Sequence, residues 1–297
     1  MSVPLPESYR RCVHVARTQA RNFYYSFLCL PRAKREAMCA IYAFMRYSDD
    51  ISDDDSGGAG SAERAGRMAA WRAALDRALE GDYGDSAILP AFHDTVRRYS
   101  IPREYFHDLI DGTEMDLEPR RFEAFADTYD YCYHVASVVG LVCIHVFGFR
   151  DPEAKLLAEH NGIAFQLTNI LRDLQEDARM GRVYLPQEDL RRFGYTEAEL
   201  AAGVENEAFR ALMRFEVERA RDYYDRAAPL VAMVDPDSQP CLRAMRSIYG
   251  GILECIERRN YDVFTRRARL PTWRKLLVAT GAWWESRQVQ RKQLSSA

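Results

Sequence analysis

Apolar residues recur at three- and four-residue steps along most of the chain. That spacing predicts helices over Arg32 to Ile51, Ala62 to Leu79, Leu89 to Tyr99, Glu123 to Phe147, Pro152 to Arg179, Glu207 to Met233 and Pro240 to Tyr261. The strict alternation of a half-buried strand is nearly absent. Breakers fall between these segments, at Ser56 to Ser61, Gly81 to Gly84, Gly181 to Pro186 and Asp235 to Pro236. None is long or biased enough to be an interdomain linker, and no repeat stands out apart from two acidic motifs. The pattern therefore predicts an all-α fold, a single helical bundle over residues 1–297. The longest apolar run, Val135 to Phe149, is too short and interrupted to span a bilayer, and Met1 to Arg11 lacks the apolar stretch of a signal peptide. The expectation is a cytoplasmic protein, soluble or peripheral to a membrane.

Composition narrows the function classes. With 47% hydrophobic and 29% charged residues in 297, the chain reads as globular rather than disordered. A formal net charge of -3 argues against a general nucleic-acid binder. Arg266, Arg267, Arg269, Arg274 and Lys275 do make one stretch basic, which reads first as a solvated helix end and second as a patch for an anionic surface. Seven cysteines without a CxxC pair suggest reduced, buried thiols rather than disulfides or a zinc site. No P-loop or GxGxxG occurs, so nucleotide hydrolysis and dinucleotide binding have little support.

The chemistry concentrates in the two acidic motifs. YSDDISDDD carries Asp49, Asp50 and Asp53, and NILRDLQEDARMGRVYLP carries Asp173 and Asp177. Carboxylates four residues apart share one helix face, where they repel each other unless a cation lies between them. Arg46 and Tyr42 fall on the face of Asp49, while Gln166, Asn169, Arg172 and Glu176 form a polar stripe with Asp173 and Asp177. A lone acidic pair on a helix is ordinarily a solvated face. The first cluster, however, ends its helix, where negative charge opposes the macrodipole, and the second repeats it with an arginine alongside. A hard divalent ion, Mg²⁺, fits such ligands and completes its shell with substrate phosphates, to which arginine binds bidentately. The expected substrate is a diphosphate ester, with the metal as Lewis acid on the leaving group. Aromatic residues around the motifs are core packing by default, but rings lining a pocket would also shelter a carbocation.

Five blocks carry a family resemblance: NFYYSFLCLP, AIYAFMRYSDDISDD, YCYHVASVVGL, GIAFQLTNILRDLQEDARMGRVYLP and IYGGILECIERRNYDVFTRRARLP. Over nearly its whole length the chain resembles the squalene/phytoene synthases, head-to-head prenyl transferases of the all-α isoprenoid-synthase fold with a central active-site cavity. The resemblance implies that Asp49, Asp53, Asp173 and Asp177 ligate Mg²⁺, with Asp50 beside them. It implies that Arg46, Arg172, Asn169, Gln166 and Tyr249 surround the diphosphates, that Arg266 reaches them from the C-terminal region, and that Tyr42, Phe23 and Tyr131 line the cavity. Val135, Val139 and Gly140 match an apolar wall for a prenyl chain. Asn22 stands where many members carry serine, and Ala20 replaces another small hydroxyl residue.

Ser137 and Val138 replace the Gly and Thr usual in phytoene and dehydrosqualene synthases. With FYYSF, ASVVG looks like the bacterial squalene-pathway branch that makes presqualene diphosphate, whereas the YDVFTRRARLP tail looks equally like phytoene synthases. The expectation is thus condensation of two farnesyl diphosphates to presqualene diphosphate or squalene, with NADPH needed only for squalene. The alternative is phytoene from two geranylgeranyl diphosphates via prephytoene diphosphate. A chain-elongating transferase is disfavoured by its different acidic context, and an inactive assembly factor by the intact aspartates. No histidine is well placed for the proton, leaving a tyrosine or the released diphosphate as the base. Prenyl diphosphates and downstream isoprenoid enzymes are the expected partners, and a greasy product suggests contact with the inner face of the membrane.

Overall fold

A computed structural model of the chain describes residues 3–20, 23–52 and 61–295, and every regular element among them is helical. In chain order these are α1 (Leu5–Gln19), α2 (Phe23–Phe27), α3 (Arg32–Ser52), α4 (Ser61–Leu79), α5 (Leu89–Arg98), α6 (Glu104–Met115), α7 (Phe125–Cys132) and α8 (Val138–Phe147). There follow α9 (Glu153–Arg179), α10 (Gln187–Phe193), α11 (Glu197–Ala202), α12 (Glu207–Arg226), α13 (Leu230–Met233), α14 (Gln239–Arg258) and α15 (Thr272–Ser295). The all-α expectation holds.

The predicted segments appear with two internal changes. Glu123 to Phe147 becomes α7 and α8 joined by a π-helical turn, Tyr133–Ser137, and Pro229 ends the run from Glu207, separating α12 from α13. The periodicity did not reveal α1, α2, α6, α10, α11 or α15. The continuous run Phe125–Phe147 is, by length and composition, long and apolar enough to cross a membrane, contrary to the shorter span read from the sequence. It packs against α6 and α9 with over half of its apolar window buried, as a core helix does.

The central helix is α9, which packs on α8, α12, α14 and the π turn. That approach requires Gly162: a Cβ there would stand 2.4 Å from the Ser137 Cα. The Ser137 hydroxyl donates to the Glu159 carbonyl at 2.8 Å and holds the π turn to α9. Lys34 anchors the start of α3, its Nζ donating to the Phe147 carbonyl (2.7 Å), Asp237 (2.7 Å) and Ser238 (3.0 Å).

A buried charge cluster joins α10 to α12. Arg219 Nη1 lies 2.8 Å from Asp189 and 2.8 Å from Glu216, and its guanidinium stacks 4.1 Å from the Phe125 ring. One cation serves two carboxylates there. Burial, reinforced by Asp189 and opposed by Arg219, pushes Glu216 up from 4.5 to about 8. A raised folded-state value means the contribution of Glu216 to stability is fully present below pH 4.5 and is lost as pH rises toward about 8. Glu216→Gln should therefore melt above wild type at pH 8 to 9 and close to it at pH 5, by ~2–4 °C per kcal/mol recovered. Thermal denaturation across that range checks this, and an unchanged pH slope refutes it.

Candidate active site

Three compartments adjoin in the middle of the bundle, and Asp49, Met45 and Val139 line all of them. The first, of about 320 Å³, is apolar and walled by Ala20, Phe27, Met38, Ile41 and Tyr42. The second, of about 260 Å³, runs along α8 and α9 past Val135, Gly140, Phe147 and Phe165 to Leu230. The third, of about 200 Å³, is polar and holds Asp49, Ser52, Thr113, Asp116, Tyr131 and Gln166. Asp49 thus stands where two apolar spaces meet one polar space. A larger hollow of about 640 Å³ lies between α4 and residues 82–89, but it contains none of the candidate site residues.

Local structure explains this placement. α3 turns Ala37, Ala40, Ile41 and Phe44 into the core and so presents Tyr42, Met45 and Asp49 to the cavity. On α9, Gln166 and Asn169 line the second compartment, and Asp173 and Asp177 continue the same face one and two turns on. The Asn169 amide donates to Gln166 at 3.2 Å. Tyr249, from α14, stacks on Phe165 with ring centres 4.3 Å apart. The π turn sets Val135 and Ala136 on the cavity wall together with Val139 and Gly140.

The charges are arranged unequally. Arg46 pairs with Asp50, yet its Nε is buried without an acceptor among the described residues. Arg172 donates to Asp173 (Nε to Oδ1, 2.8 Å), and Arg267 reaches the same carboxylate at 2.7 Å and Glu176 at 3.1 Å. Arg266, expected to reach the diphosphates, lies on the same segment and is exposed, as Arg267 is. Its neighbour Arg267 is the one that folds onto α9. Burial first, then the charge of Asp173, raises Asp177 to about 7. Burial also pushes the Tyr249 phenol up to about 12.

Asp116 has no counterpart among the residues expected from the sequence. It follows α6, and its carboxylate accepts from Tyr131 (3.1 Å) and Tyr184 (2.8 Å), while Arg182 donates to its carbonyl at 3.2 Å. The two phenols stack with centres 4.8 Å apart. An acidic residue closing the apolar spacing of Phe106, Leu109 and Ile110 was the available signal. Asp53 and Asn22 lie outside the described residues, as does the side chain of Phe23. The other expected positions either line the compartments or continue along α3 and α9.

The donor set suits a hard cation. Among the described residues no three acidic, histidine or cysteine side chains cluster tightly enough to hold a metal alone. Carboxylates from two helices that share an ion with substrate phosphates need no such cluster. Burial and the neighbouring charge of Asp173 work against ionisation of Asp177, and a divalent ion beside it would favour the ionised form.

Comparison with known proteins gives consistent findings. The squalene/phytoene synthase family model matches residues 16–274. A 15-cis-phytoene synthase of Synechococcus elongatus is 40% identical, over 92% of this chain and 91% of that protein. The crystal structure of a dehydrosqualene synthase with ligand superposes at TM-score 0.85 and 26% identity, covering 99% of this chain and 98% of the other. A squalene synthase from Alicyclobacillus acidocaldarius superposes at 0.81 and 29% identity, covering 88% and 98%.

Proposed function

We propose that this protein, which belongs to the squalene/phytoene synthase family, joins two geranylgeranyl diphosphates head to head, giving phytoene by way of prephytoene diphosphate. As a family member it is a prenyltransferase, and the open variable is the length of the chains it joins. The observation that carries the longer chain is the 40% identity to a phytoene synthase, against 26% and 29% to the dehydrosqualene and squalene synthase structures. This replaces the farnesyl expectation drawn from FYYSF and ASVVG. Ser137 and Val138 are both fully buried, packing the π turn against its neighbours, so their identity reports helix packing rather than tail length. Two apolar compartments meeting at Asp49 support two prenyl tails whose reacting ends converge on the polar space.

Asp49, Asp173 and Asp177 are the residues that would hold Mg²⁺, which when bound supplies Lewis-acid stabilisation of the leaving diphosphate. The chain's own groups do the rest. Arg46 and Arg172 offer donors to the phosphate oxygens, and the buried Arg46 Nε gains the acceptor it lacks among the described residues. As the allylic C–O bond breaks, negative charge grows on the diphosphate and these donors meet it. The stacked rings of Phe165 and Tyr249 lie beside the allylic cation. Apolar walls keep water from quenching that cation before the second double bond attacks. Proton loss then closes the cyclopropane. Burial raises the Tyr249 phenol to about 12, which makes it a poor proton acceptor beside the released diphosphate.

Incubating the pure protein with Mg²⁺ and geranylgeranyl or farnesyl diphosphate, each with and without NADPH, tests the reading by product mass. A C40 product independent of NADPH is expected. Preference for farnesyl diphosphate with a C30 product overturns it.

A further inference from the structure

The outer face of α15 plays no part in this chemistry, and its side chains are the wrong kind for a solvated helix. At about 100° per residue, Trp273, Leu276, Leu277 and Trp284 fall in one stripe, and they are 58%, 49%, 62% and 64% exposed. The opposite face is the one that packs. Ala282 and Ser286 are buried, Ser286 Oγ donates to the Cys29 carbonyl at 2.5 Å, and the Cys29 thiol donates to the Ala279 carbonyl at 3.8 Å. The helix is therefore fixed against α14 and the end of α2 while its apolar stripe is left bare.

Residues 266–287 contain three of the four tryptophans of the chain, and six cations against the single acid Glu285, in a protein of net charge -3. Arg266, Arg269 and Arg287 are exposed or partly so. Arg274 stands over the Trp273 ring at 5.4 Å and Arg287 over Trp283 at 4.8 Å. Tryptophan and leucine on one helix face, with arginine beside them, match the water–bilayer boundary, where rings sit at headgroup level and cations meet anionic lipid. A second copy docked face to face would instead set these cations against one another.

We infer that α15 docks on an anionic lipid surface, with Trp273, Leu276, Leu277 and Trp284 in the headgroup boundary and the flanking arginines against lipid phosphate. The helix rests on α2, which supplies Phe27 to the wall of the first compartment. Docking therefore brings that apolar space close to the bilayer. The docking stands on this surface alone and is independent of the chain length proposed above.

Flotation of the full chain with phosphatidylcholine vesicles, with and without phosphatidylglycerol, tests it. Wild type should float with the anionic vesicles, with a blue-shifted tryptophan emission, and release at high salt. Leu277→Asp and, separately, Trp284→Ser should weaken binding about tenfold with unchanged melting and unchanged turnover in detergent. Wild type that stays in solution, or variants that float equally well, overturn the inference. So does light scattering that shows a dimer split by Leu277→Asp, which would give the stripe to a second copy.

Discussion

Asp49→Asn lowers the rate of diphosphate release by at least about 10²–10³-fold while leaving the fold intact. Asparagine keeps the shape of the side chain and removes only its charge, at the one carboxylate among the described residues that faces all three compartments. That charge is exposed beside two apolar compartments and one polar one, where a divalent ion shared with substrate phosphates would meet it. The loss should therefore come with a higher requirement for Mg²⁺, read as a shift in the activating concentration. Asp50→Asn is the control. Asp50 lies one residue away and is exposed as Asp49 is, but it lines none of the three compartments and is paired with Arg46, and exposed pairs contribute little, so its loss should cost less than about tenfold. Release of pyrophosphate and melting temperature, measured on both variants, separate the two cases. Equal activity of Asp49→Asn and Asp50→Asn removes Asp49 from the site.

The parts of this molecule legible in the sequence are those where one helix carries its own signal. α3 and α9 are long and strongly periodic, and their aspartates, arginines and amides recur at helical spacing, so that spacing alone assigns Asp49, Gln166 and Asn169 to their faces. What stayed hidden is set between helices. Asp116 stands outside both acidic motifs; it matters because α6 ends beside Tyr131 from α7 and Tyr184 from the loop before α10. The same limit explains Arg267, which reaches Asp173 across 94 positions of sequence. It explains Ser137 and Val138 as well, since a motif cannot say which of its residues face a cavity and which face a neighbouring helix. α15 escaped detection because apolar residues occupy two of its faces, one packed and one bare, which blurs the one-sided pattern that marks an ordinary surface helix.

Asp116→Asn should lower turnover by about 10²-fold with a much smaller change in KM, and it tests a residue that lies outside the acidic motifs. The Asp116 carboxylate accepts from two stacked phenols, so an ionised group there is stabilised by charge-assisted hydrogen bonds. Both phenols are held well above their ordinary range by burial and by the charge of Asp116 itself, so they remain donors and cannot supply a negative charge in its place. Asp116 also shares the polar compartment with Asp49 and is one of the charges that raise Asp177, after burial and Asp173. Its removal lowers the density of negative charge on which a divalent ion and its diphosphate would settle, and this acts on the step in which the leaving group gains charge. A purely structural role gives a different result. Then Tyr184→Phe, which deletes one donor and leaves the charge, would lose as much activity as Asp116→Asn, and both losses would follow the melting temperature. The charge argument expects Tyr184→Phe to stay within about fivefold of wild type, with Asp116→Asn folded and slow. Asp116→Asn at wild-type turnover would return Asp116 to the role of a buried anchor for Tyr131 and Tyr184.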